Sequence, residues 1–75
     1  MTPQELLAAL SERLGTDPPT DEERETLLAM AGVAAHASER WAAPLACWMA
    51  GRAGVRPEQA AALVREISEG GAAAR

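Results

Sequence analysis

The chain contains no lysine, no phenylalanine and no tyrosine, and among its 75 residues there are one cysteine, one histidine and two tryptophans. Each scarcity excludes something. A single cysteine, Cys47, cannot form an internal disulfide, and its place inside an apolar run marks it as a small hydrophobe rather than an exposed nucleophile. One histidine, His36, and one cysteine cannot make a zinc site, which takes about four ligands at restricted spacing. No Ser, His and Asp grouping has a nucleophile context, and no glycine-rich loop follows a strand to cradle a phosphate. The expectation is a protein without catalytic residues, metal or resident cofactor. Seven arginines stand against eleven acids for a net charge of −4, which repels a phosphate backbone, so nucleic acid is not an expected partner. The uncharged run Trp41–Gly51 is far shorter than the roughly 20 residues of a membrane span. The first residues also lack a basic region leading into an apolar core. A soluble, cytoplasmic protein is expected.

What is abundant is alanine, the strongest helix former. With few β-branched residues beside it, the composition predicts an all-α fold, a small four-helix bundle in one domain covering residues 1–75. Thr2-Pro3-Gln4-Glu5 is a capping box with proline at the first helical position, and Gly15 stands where a left-handed cap closes a helix. These signals predict a first helix near 3–14, with a seam of Leu6, Leu7, Leu10 and Leu14. Pro18-Pro19 cannot continue it. Thr20-Asp21-Glu22-Glu23 repeats the capping box and opens a second helix near 21–37, its stripe formed by Leu27, Met30, Ala31, Ala34 and Ala35. Pro44 fits the first turn of a third helix near 40–53 that ends at Gly54, for which a left-handed backbone is expected. Pro57 starts a fourth near 57–69, with Ala60, Leu63, Val64 and Ile67 inward and a frayed tail at 70–75.

The third helix carries both tryptophans. Helical spacing places Trp41, Leu45, Trp48 and Met49 on one face and Ala43, Ala46, Cys47 and Ala50 on the other. The bulky face predicts the core, with this helix at the centre of the bundle. On that reading Trp48→Ala would remove roughly 3–5 kcal/mol, about all that a core of this size supplies.

Two segments offer functional side chains. His36-Ala-Ser-Glu-Arg-Trp41 joins charge, a hydroxyl and an aromatic at a helix junction, and tryptophan and arginine are favoured binding anchors. With Val33, off the main stripe of the second helix, the residues His36, Glu39, Arg40 and Trp41 form a candidate protein-binding edge. Gly51–Pro57 places Arg52 and Arg56 around a turn that leads into a helix N-terminus, where free amides can hold an anion.

The segment Ala35-His-Ala-Ser-Glu-Arg-Trp-Ala-Ala-Pro-Leu45, with Gly51, Gly54 and the alanine-rich last helix, resembles a small actinobacterial helical family of unknown function. That family occurs as a stand-alone protein and as a C-terminal extension of molybdenum cofactor guanylyltransferases. The resemblance covers about residues 4–68. It implies a non-enzymatic interaction or accessory module docked on a guanylyltransferase or a related maturation factor. It carries no catalytic residue over to this chain. The residues themselves, with one side of the Trp41 ring uncovered at the helix start, Val33 off the stripe and alanine faces that invite close helix contact, lead to the expectation of a homodimer or a docked module. The competing expectation is a small protein that binds an anionic cofactor or nucleotide through Arg52, Arg56 and the His36 corner.

Overall fold

Both threonine caps form as their sequence requires. In the computed structural model, which describes residues 1–71, the Glu5 amide donates to Thr2 Oγ1 at 3.1 Å and the Thr2 amide to Glu5 Oε1 at 2.8 Å. Glu23 and Thr20 repeat the exchange at 3.1 and 2.9 Å. Two of the amides left without partners at each helix start are thereby satisfied. These caps open α1, Pro3–Leu14, and α2, Asp21–Ala37. Helix α3 spans Ala42–Ala53 and α4 spans Pro57–Glu66. Among the described residues there is no strand, and the fold is all-α with four helices.

Two boundaries differ from the expected ones. Helix α3 begins at Ala42 rather than 40, because the chain first makes tight turns in which the Ala42 and Ala43 amides donate to the Glu39 and Arg40 carbonyls. Pro44 then falls at the third helical position, where an amide would have no intrahelical acceptor. At the other end α4 gives way at Ile67 to a π-helical turn, Ile67–Gly71. Gly70 and Gly71 therefore still belong to a helical turn and not to a tail, and residues 72–75 lie outside the described residues.

Gly15 and Gly54 take φ of 71° and 76°, and each closes its helix by donating its amide back to a carbonyl of the last turn. The Val55 amide also reaches the Ala50 carbonyl at 3.2 Å, and the Val55 side chain tucks against the core. A β-branched residue is poorly accommodated at positive φ, at a cost of about 1–2 kcal/mol. Gly54→Val is expected to lower the thermal midpoint by about 5–15 °C. A melt unchanged by this substitution would show that the left-handed backbone at Gly54 does not matter to the fold.

The core is not where the sequence places it. Helix α2, not α3, is the centre, with α3 and α4 packed on it. Met30 is completely buried, Ala34, Ala60 and Ala61 are nearly so, and Leu27, Cys47, Ala50, Val55 and Val64 pack around Met30 and the α4 alanines. Helix α3 turns its small face inward. Its bulky face is outside, with Trp48 62% exposed and Leu45, Met49 and Trp41 also on the surface. The expectation that Trp48 fills the core is therefore wrong, and so is the stability loss attached to it. The reason lies in α2 and α4, which meet the core through alanines. A surface of alanines leaves no recess for an indole, and the small face of α3 approaches it more closely. Leu63 and Ile67 also face outward; the inward face of α4 is Ala60, Ala61 and Val64.

Helix α1 stands apart. It buries no residue and makes no extended contact with another helix. The radius of gyration is 13.5 Å, against about 11 Å for a globular chain of this length.

Candidate functional site

The outward face of α3 follows from its spacing. Trp41, Leu45, Trp48 and Arg52 succeed one another at four, three and four residues, which aligns them along one side of the helix, and Met49 lies beside the line. All five are exposed. The Arg52 guanidinium sits over the Trp48 ring, 5.1 Å from its centroid. This cation–π contact holds the ring and the charge in a fixed relation at the cost of little burial. At the start of the helix the Trp41 indole Nε1–H donates to Glu39 Oε1 at 2.6 Å. The result is a strip of two indoles, a leucine and a methionine, with a carboxylate at one end and a guanidinium at the other.

The residues expected to form one binding edge divide into two places. Glu39, Arg40 and Trp41 occupy the exposed connection from α2 to α3, continuous with the strip. Val33 and His36 instead line a shallow cleft with Gly32, Arg65 and Glu69. There the His36 Nδ1–H donates to the Gly32 carbonyl at 2.9 Å, one turn back on the same helix. Arg52 and Arg56 also turn to different neighbours. Arg52 lies on Trp48, whereas Arg56 Nε is 3.7 Å from Glu58 Oε1 in an exposed pair of the kind that contributes little to stability. Among the described residues no group of three or more His, Cys, Asp or Glu side chains converges on a point.

Sequence reasoning missed Leu45, Trp48 and Met49 as surface residues. A signal was available: Arg52 extends the line of Trp41, Leu45 and Trp48, while the line of Ala43, Cys47, Ala50 and Gly54 carries no charge to the end of the helix. A charge at the end of a stripe marks its wet side.

A second apolar surface lies on α1, where Leu6, Leu7, Leu10 and Leu14 are all exposed. Between α1 and the first turns of α2 runs an open groove of about 620 Å³, lined in part by Pro3, Leu7, Pro18, Pro19 and Leu28. The two prolines keep the connector extended and so hold the helices apart along it. No described helix is long and apolar enough to cross a membrane.

No curated protein and no solved structure matches the chain. Residues 2–75, nearly the whole length, match a family described as a domain of unknown function, DUF6457, and the chain belongs to that family.

Proposed function

We propose that the protein is a non-enzymatic interaction module whose working surface is the outer face of α3. The observation that carries this reading is the strip of Trp41, Leu45, Trp48 and Met49, left uncovered while alanines fill the core. Scattered surface hydrophobes are ordinary, but a contiguous strip with two indoles has the make-up of a binding hot spot. The charged ends, Glu39 and Arg52, give such a surface direction. The partner we favour is a molybdenum cofactor guanylyltransferase or an associated maturation factor, on the strength of the family resemblance carried by residues 35–45.

The test is calorimetric titration of the protein against a purified molybdenum cofactor guanylyltransferase, with wild type and Trp48→Ala compared. Because the ring is already largely in water, Trp48→Ala is expected to move the thermal midpoint by less than about 5 °C. Loss of a hot-spot indole should weaken binding about 30-fold or more. No heat of binding with the wild-type protein would remove the proposed partner. Binding that Trp48→Ala leaves intact would remove the proposed surface.

A further inference from the structure

The two uncovered surfaces of this chain, the leucine seam of α1 and the aromatic strip of α3, point to one arrangement. We propose that two copies associate by exchange, the α1 helix of each lying on the outer face of α3 of the other. This inference rests on the reading of α3 as an interaction surface and adds the identity of one occupant.

Three observations carry it. The first is area. A folded monomer of 7.9 kDa is expected to expose about 4,400 Å², whereas this chain exposes 6042 Å². The surplus is on the order of 1,000–1,600 Å², the lower figure leaving out all that the four residues after Gly71 could expose. A stable dimer buries about 800 Å² or more on each partner, so the surplus is what a second copy would cover.

The second is the state of α1 itself. An isolated helix of 12 residues is marginal in water and is held by packing of its apolar face. Helix α1 is capped at both ends, yet its own chain offers that face no extended contact. The third is fit. Helices α1 and α3 have 12 residues each, about 18 Å, and each presents one apolar stripe. An antiparallel seating brings Arg13, which flanks the leucine seam at the end of α1, beside Glu39 of the other copy. A two-fold axis makes the contact twice, which closes the assembly at two chains.

Sedimentation equilibrium on the full chain, from low micromolar to several hundred micromolar, reads the result. The wild type is expected to reach twice its 7.9 kDa chain mass. Leu10→Glu on α1 and Trp48→Glu on α3 should each remain monomeric while far-UV circular dichroism retains the helicity of α2 to α4, since neither side chain is buried. Leu14→Glu and Leu45→Glu repeat the pair at independent positions if either first variant loses its helicity. The deciding sample is a mixture of one α1 variant with one α3 variant. Exchange leaves one sound contact between them, an intact α1 against an intact α3, so the mixture should recover dimer mass with an affinity at least tenfold below wild type. A wild type that is monomeric throughout overturns the proposal. So does a wild-type dimer that only one of the two variants breaks, because that pattern belongs to α1 on α1 or α3 on α3, and so does a pair of monomeric variants that fail to associate when mixed. A monomer that still binds the guanylyltransferase through Trp48 removes the second copy and leaves the interaction reading standing. A dimer that binds no guanylyltransferase removes only that partner.

Discussion

Met30→Ala is expected to leave the protein largely unfolded at 25 °C. Among the described residues Met30 is the one large side chain with no solvent exposure, and in its cluster it meets Ala60 and Ala61 from α4 and has Cys47 and Ala50 of α3 around it. Three helices therefore share a single filler. Truncating it removes the burial of the lost atoms and leaves a cavity, together about 2–5 kcal/mol. A core in a chain this short supplies only about 3–5 kcal/mol. The alanines lining the gap have no side chain to swing into it, which leaves only the partly buried rim of Leu27, Cys47, Val55 and Val64 to close it. Far-UV circular dichroism with a thermal melt checks the result, and Met30→Leu, which keeps the volume, should cost less than about 1.5 kcal/mol. A cooperative melt of Met30→Ala within about 5 °C of wild type would contradict this account of the core.

Ala60→Leu should produce the next largest loss, by the opposite mechanism. Ala60 is only 3% exposed and lies in the core cluster through which α4 meets α2. Three added carbons there must push the two helices apart or force a strained rotamer, at about 1–3 kcal/mol. A fall in midpoint of about 5–20 °C follows for a chain of this length. Ala62→Leu is the control, since Ala62 is on the same helix but exposed, and it should stay within about 0.5 kcal/mol of wild type. Equal effects of the two substitutions would mean that α4 is rotated from the orientation described.

The start and stop signals were legible in the sequence because they are local. A threonine and a glutamate three residues apart satisfy one another's amides whatever the rest of the chain does, and Gly15 and Gly54 occupy backbone conformations that other residues avoid. The positions of α1, α2 and the end of α3 follow from these signals alone. The direction in which α3 faces is not local. Both of its faces are apolar, and the choice between them depends on the depth of the surface offered by α2 and α4. Rules that rank side chains by size send tryptophan inward; here the alanines of the neighbouring helices reverse the outcome. Arg52 was the one local clue. The seam of α1 was legible as apolar, but no pattern within α1 says whether its partner is in the same chain. The division of the expected binding edge, with Val33 and His36 in one place and Trp41 in another, likewise arises from the turn after Ala37, whose path no spacing rule fixes.

The outward placement of both indoles has a spectroscopic consequence. Trp41 and Trp48 are each more than 60% exposed in the folded chain, so their excited states already relax against water. With nothing on the strip, unfolding changes their surroundings little, and the emission maximum of a single chain should shift only slightly across a denaturation that abolishes the helical dichroism. Covering the strip would move the maximum to the blue. In this protein intrinsic fluorescence is therefore a reporter of what lies against α3, and a poor witness to whether a chain with that face uncovered is folded.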